Sequence, residues 1–238
     1  MVSAVEQMAA NTSWAALGKA TDLRNRILFT LGLLIVYRLG TFIPLPGIDP
    51  VALSDVFGQQ SSGILGMFDM FSGGALGRMT IFALNIMPYI TASIIMQLMT
   101  AIVPSLETMK KDGEAGRKQI NQYTRYLTVL LATFQGFGIA VALESAGNIV
   151  ADPGMFFRLT TVVTLVGGTL FLMWLGEQIT SRGIGNGISL IIFSGIVAEV
   201  PSALIGTLEL GRTGALSAGL IVGLFVMAIA VIAFIVFI

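Results

Sequence analysis

Residues 79–106, from Met79 to Leu106, read MTIFALNIMPYITASIIMQLMTAIVPSL and hold no charged side chain. A helix needs roughly 20 consecutive apolar residues to cross the hydrocarbon core of a bilayer. This run exceeds that length and points to a chain surrounded by lipid. Its first half carries Asn85 and Pro88. Pro88 lacks an amide proton and is expected to kink the helix. Ile86, Ile90, Ile94 and Gln97 recur at i, i+4, i+8 and i+11, on one face. That face can meet lipid, another helix or a pore; isoleucine in a membrane helix ordinarily serves the first two.

Composition carries the same message along all 238 residues. Hydrophobic residues make up 55% and charged residues 11%, where a soluble domain has about 25% charged residues. So few charges cannot cover a water-facing surface. Lysine plus arginine equals aspartate plus glutamate, 13 of each, so net charge offers no argument for a nucleic-acid partner. Histidine and cysteine are absent. That excludes thiol nucleophiles, imidazole acid–base chemistry, disulfides and most zinc sites. Carboxylate, lysine and serine chemistry stays formally open. No metal or cofactor is expected, and nothing points to an enzyme.

The fold class is all-α, a polytopic transmembrane helical bundle of about six spans. The charge-poor windows are Ile27–Ile43, Met79–Leu106, Tyr126–Leu143, Leu159–Gly176, Gly183–Leu208 and Thr213–Ile238. Arg38 interrupts the first and Glu199 the fifth. With the N-terminus in the cytoplasm, the inside holds Lys19, Arg24, Arg26, Lys110, Lys111, Arg117, Lys118, Arg125 and Arg182. The outside holds Arg38, Arg78, Arg158 and Arg212. This nine-to-four bias is the positive-inside pattern. Residues 1–26 form a polar cytoplasmic segment, either a poorly ordered tail or an interfacial helix around Trp14–Leu23. The first apolar run lacks a small-residue cleavage site and reads as a permanent span.

Several segments do not suit a plain bundle. Ser61–Gly77 reads SSGILGMFDMFSGGALG, with Asp69 inside an apolar core, Ile64–Phe71, too short to span. Bracketed by glycine, it can be re-entrant, lining protein or a wet cavity, or an amphipathic helix on the membrane surface. Ser181–Ser189, SRGIGNGIS, is not a phosphate-binding loop, because no strand precedes it and its spacing is not G-x-G-x-x-G. It permits a tight backbone entrance to the fifth span, where Ile188 and Ile192 repeat the i, i+4 pair. Glu199 lies in a span, a default functional candidate, at a depth that also suits a solvated carboxylate. The long side chain of Arg38 can snorkel to headgroups. The basic loop at 107–125 sets topology, and can also meet anionic lipid or an acidic partner.

Five stretches together resemble the N-terminal half of bacterial SecY, the channel subunit of the Sec protein-translocation complex. They are YRLGTFIPLPGID (Tyr37–Asp49), MFDMFSGGAL (Met67–Leu76), IMPYITASIIMQL (Ile86–Leu98), GRKQINQYTRY (Gly116–Tyr126) and FLMWLGEQITSRGIGNGIS (Phe171–Ser189). The resemblance implies half of a pseudo-symmetric ten-helix channel in the bacterial inner membrane. The implied pore ring is Ile86, Ile90, Ile188 and Ile192. The implied plug is Ile64, Leu65, Gly66, Met67, Phe68, Asp69, Met70 and Phe71, hinged at Gly73 and Gly74. Thr91 is an implied lateral-gate position.

The implied partners are SecE, SecG, and SecA or a translating ribosome, with signal peptides and secretory polypeptides as cargo. Lys110, Lys111, Arg117, Lys118 and Arg125 form the implied basic cytoplasmic surface. Asn85 stands where the family more often has glycine, and is expected to hydrogen-bond a neighbouring helix. The domain reading is 1–26 cytoplasmic, 27–208 five spans of a half-channel, and 213–238 a truncated sixth span. The chain is accordingly expected to be a fragment that needs a C-terminal half. Two other classes compete. A transporter also uses broken helices, but would place polar ligands near the midplane, against the uncharged second window. An intramembrane protease finds no evident catalytic group here.

Overall fold

The computed structural model describes residues 21–53, 69–70, 72–146, 149–214 and 216–237. The expected N-terminal segment as far as residue 20, and Ile64, Leu65, Gly66, Met67, Phe68 and Phe71 of the expected plug, lie outside the described residues. Among the described residues seven helices follow one another: α1 (Thr21–Gly40), α2 (Met87–Ile102), α3 (Pro104–Lys111), α4 (Glu114–Ser145), α5 (Met155–Arg182), α6 (Gly187–Arg212) and α7 (Ala218–Phe237). Two isolated bridges, Pro44 with Thr80 and Ile48 with Val150, tie the loops.

The chain divides into two compact units, Met1–Gly195 and Ile196–Ile238. The second unit holds the end of α6 and all of α7. Helix α6 passes through Pro201 without ending there. Helix α7 carries no charge, and its described side chains are exposed apart from the half-buried Ile221. In water that surface would be untenable; in hydrocarbon it is the favourable state.

The uncharged run 79–106 is not one helix. Residues 81–86 form successive turns and α2 starts at Met87, with Pro88 in its first turn. Proline fits there because the first amides of a helix have no intrahelical acceptor to lose. Pro88 therefore starts the helix instead of kinking it. The far end breaks at Val103, extended at φ −96° and ψ 114°, as a residue before proline prefers. Pro104 then opens α3, and α2 and α3 meet at 99°. The expected basic loop is also helical, apart from a turn at Asp112 and Gly113. A Glu107–Lys111 ion pair at i, i+4 supports α3.

Helices α4 and α5 form an antiparallel pair at the centre of the first unit. Thr124, Thr128, Ala132, Gly136 and Ala140 recur every fourth residue on the buried face of α4. Small side chains let membrane helices approach closely, where dispersion does the work that hydrophobic burial does in water. Two ion pairs close the hairpin's ends. Arg125 grips Glu177 through both carboxylate oxygens at 2.7 Å. At the other end Arg158 Nη2 meets Glu144 Oε2 at 2.6 Å. On each helix the two charges are nineteen residues apart. That is about 28 Å of helix, close to the ~30 Å hydrocarbon core. The charged pairs thus mark two water-accessible boundaries around an apolar middle.

Helices α4, α5, α6 and α7 are each long and apolar enough to cross a membrane, and α2 with α3 would add a fifth crossing if counted as one broken span. The first expected span lies on α1, whose three basic residues Arg24, Arg26 and Arg38 reduce its apolar character.

Candidate functional site

The two isoleucine pairs, about a hundred residues apart in sequence, come together at one apolar cluster. Its buried members are Tyr37 from α1, Ala75, Phe82 and Ile86 from the turns before α2, Leu172, Leu175 and Ile179 from α5, and Ile191 from α6. Ile90, Ile188 and Ile192 pack against it and remain partly buried. Ile86 differs from its three companions. It caps α2 from outside the helix and is 0% exposed. Further along the same expected face, Ile94 and Gln97 are exposed.

Local chemistry explains how α6 delivers its pair. Asn186 Oδ1 accepts the amides of Ile188 (3.1 Å) and Ser189 (3.3 Å), which caps the helix. Thr180 Oγ1 accepts the Gly187 amide at 2.9 Å. A Cβ on Gly187 would collide with the Gly176 carbonyl, so this position needs glycine for α5 and α6 to approach so closely. Thr30 Oγ1 of α1 accepts the Ile184 amide at 3.1 Å and anchors the turn to a third helix. Nothing in the spacing of Thr30 announced that role.

The other end of the cluster is the Gly73–Gly74 turn. Both glycines have positive φ, 65° and 76°. Arg38 Nη1 donates to the Gly73 carbonyl at 2.8 Å, and Arg78 Nη2 donates to the same oxygen at 2.9 Å. Arg78 Nε also donates to the Gly74 carbonyl at 2.8 Å. Asp69 holds the turn from the opposite side. Its Oδ1 accepts the Gly77 amide at 2.7 Å and the Ser72 hydroxyl at 3.3 Å. Thus the aspartate that looked misplaced in an apolar segment satisfies backbone donors. Met70 beside it is exposed. Arg38, expected to snorkel towards the headgroups, places one guanidinium nitrogen on the Gly73 carbonyl of this turn.

Asn85 has φ 50°. Asparagine is the non-glycine residue best suited to that region, which gives a backbone reason for an asparagine here. Its backbone carbonyl accepts the Thr169 hydroxyl of α5 at 3.4 Å. That bond uses the main chain, which any residue at this position would offer, and so does not bear on the bond expected of the asparagine side chain. Tyr37, Phe82 and Phe171 stack in succession and Trp174 meets Phe171 at a 35° tilt, with centroids 5.8–6.2 Å apart. This aromatic ladder was invisible in the spacing, because its rungs come from three segments. Thr91 is exposed on α2, where its hydroxyl donates to the Met87 carbonyl of its own helix at 3.1 Å. Lys110, Lys111, Arg117 and Lys118 are exposed around the α3–α4 corner. Arg125 is committed to Glu177.

A family model described as SecY matches residues 80–238 of this chain. The chain belongs to the SecY family. Protein translocase subunit SecY of Rickettsia conorii is 60% identical over 220 residues, covering 91% of this chain and 51% of that protein. The Escherichia coli K12 protein of the same name is 53% identical over 227 residues, covering 94% and 51%. The chain thus spans about half the length of the curated relatives it matches. Two solved structures share its fold. Sec61 in the canine ribosome-channel complex from the endoplasmic reticulum gives a TM-score of 0.54 at 20% identity, covering 78% of this chain and 37% of that one. "The structure of a protein conducting channel" matches with the same values. Together with its apolar helices, this makes the chain part of a multi-pass membrane protein.

Proposed function

We propose that this SecY-family chain forms one half of the wall of a protein-conducting channel in the bacterial inner membrane, with its N-terminus in the cytoplasm. The observation that carries the reading is the convergence of Ile86, Ile90, Ile188 and Ile192 on one apolar cluster. The partly exposed Ile90, Ile188 and Ile192, backed by the buried Ile86, offer a moving polypeptide no hydrogen bond and no charge, so they can close around it without holding it. The same apolar constriction resists water and ions by dewetting.

The segment from Ile64 to Phe71 would be a second seal, displaced about the Gly73–Gly74 turn when a polypeptide enters. An apolar signal helix would leave sideways into lipid past a gate that includes Thr91. The chain supplies a path and no bond-making chemistry, so the driving force belongs to a partner. SecA or a translating ribosome fits, and the exposed Lys110, Lys111, Arg117 and Lys118 offer such a partner a basic surface on the cytoplasmic side. SecE and SecG would complete the assembly, and a C-terminal half would supply the rest of the ring.

Ion flux tests this reading. In vesicles containing the full-length channel, Ile90→Gly combined with Ile192→Gly should raise resting ion conductance several-fold over the parent. Leu224→Gly, on the exposed surface of α7, should leave it unchanged. A ring variant that assembles normally yet stays as tight as the parent would overturn the assignment.

A further inference from the structure

Four arginines fall on the side that the charge bias assigns to the outside. Two of them have carboxylate partners: Arg158 pairs with Glu144, and Arg212 with Glu209. Among the described residues, Arg38 and Arg78 form no ion pair. They nevertheless converge. Because both donate to the Gly73 carbonyl oxygen, at 2.8 and 2.9 Å, the donating nitrogens lie within about 6 Å of one another. Both also face the Phe42 ring, with guanidinium carbons 5.1 and 4.6 Å from its centroid, a favourable cation–π geometry. Arg78 is exposed, Arg38 is half-buried and Phe42 is 56% exposed. Two like charges are thus held together by one carbonyl and one ring, with no carboxylate of the described residues paired to either.

The surface beside them is apolar. Leu28, Leu31, Ile35 and Leu39 form an exposed stripe along α1 that leads up to Phe42. From Leu28 to Leu39 the helix rises about 16 Å, the depth of one leaflet of a ~30 Å core. A cationic pair at one end of an apolar stripe one leaflet long complements an amphiphile with an anionic head. Guanidinium matches phosphate oxygens in geometry as well as charge.

We propose that Arg38 and Arg78 bind the phosphodiester of an anionic phospholipid, whose acyl chain lies along the exposed face of α1. The site rests on the chain's membrane-spanning character and is independent of the channel reading. Its consequence is local. The guanidiniums that meet the phosphate also hold the Gly73 and Gly74 carbonyls, so lipid charge is felt at that turn.

Native mass spectrometry of the full-length protein, titrated with phosphatidylglycerol, tests the site. The double variant Arg38→Gln/Arg78→Gln should bind at least about tenfold more weakly. Glu144→Gln/Arg158→Gln, which removes the outer pair of α4 and α5, should bind like the parent. Inorganic phosphate at the same concentrations should not displace the lipid; displacement would mean a free-anion site and overturn the lipid assignment. A second measurement leaves both arginines in place. Every native tryptophan of the full-length protein, Trp14 and Trp174 in this chain, is replaced by phenylalanine, and Phe42 by tryptophan. Brominated phosphatidylglycerol should then quench this tryptophan at least twofold more than brominated phosphatidylcholine at equal mole fraction. Equal quenching, or undiminished phosphatidylglycerol binding in the arginine double variant, would overturn the proposal. So would the discovery that a partner subunit's carboxylate occupies the pair in the assembled complex.

Discussion

Replacing Gly73 with alanine should loosen one turn and leave the rest of the first unit intact. Gly73 has φ 65°, and a residue with a Cβ pays about 1–2 kcal/mol there. The new Cβ would also sit 3.0 Å from Arg38 Nη1 and 3.0 Å from Gly195 Cα. The guanidinium can swing away, but the α6 backbone at Gly195 cannot. Overpacking of that kind adds about 1–3 kcal/mol. Even 2 kcal/mol, the lower end of the combined cost, favours local opening by about 30-fold.

Opening would release four amides: Gly74, bonded to the Asp69 carbonyl at 3.0 Å; Gly77, to Asp69 Oδ1 at 2.7 Å; Leu76, to Ser72 Oγ at 3.1 Å; and the substituted residue itself, to Met70. Hydrogen exchange in the full-length protein should therefore accelerate at least about 30-fold at 73–77. Exchange within α4 and α5 should not change. Gly138→Ala is the matched control, since nothing lies within 4 Å of its Cβ position and alanine improves helix propensity by about 1 kcal/mol. Unchanged exchange at 73–77 in Gly73→Ala, or equal acceleration throughout α4, would refute the reasoning.

Other substitutions test neighbouring parts of the fold. Asn85→Gly should preserve thermal stability, whereas Asn85→Val should lower it, since a β-branched residue at φ 50° costs about 1–2 kcal/mol or more; a melting series on the three proteins distinguishes them. Arg125 and Glu177 should show a coupling of only about 0.5–1 kcal/mol in a double-mutant cycle, because the pair is partly exposed. Ala140, 0% exposed against its neighbours, should reject leucine at a cost of about 1–3 kcal/mol, read as a fall in unfolding midpoint.

Much of this architecture was legible because lipid imposes a simple rule on sequence. Charge-poor runs must be helical and about one bilayer long, and α4 to α7 obey it. The run 79–106 misled because proline has two roles that spacing alone does not separate. Pro88 and Pro104 each start a helix, and the intervening Val103 breaks the span. The basic stretch 107–125 looked like a loop because it is polar, yet polar helices survive on i, i+4 pairs such as Glu107–Lys111. Ile86, Ile90, Ile188 and Ile192 were legible as two helical pairs, but their meeting depends on the Asn186 cap and on the glycine contact between α5 and α6. The double arginine hold on Gly73 was hidden, because Arg38 and Arg78 are forty residues apart and meet only through the Gly73 carbonyl and the Phe42 ring.

The central claim is that the isoleucine cluster faces the path of a translocating polypeptide. This chain holds no cysteine, so a disulfide assay needs only the remaining parts of the channel cleared of theirs. A single cysteine at Ile90, in the complete channel, is paired with one cysteine in a stalled secretory substrate, and Leu224→Cys on α7 serves as the lipid-facing control. A disulfide at position 90 with none at 224 is the predicted result. No disulfide at 90, with stalling and thiol reactivity both confirmed, would contradict the assigned pore face.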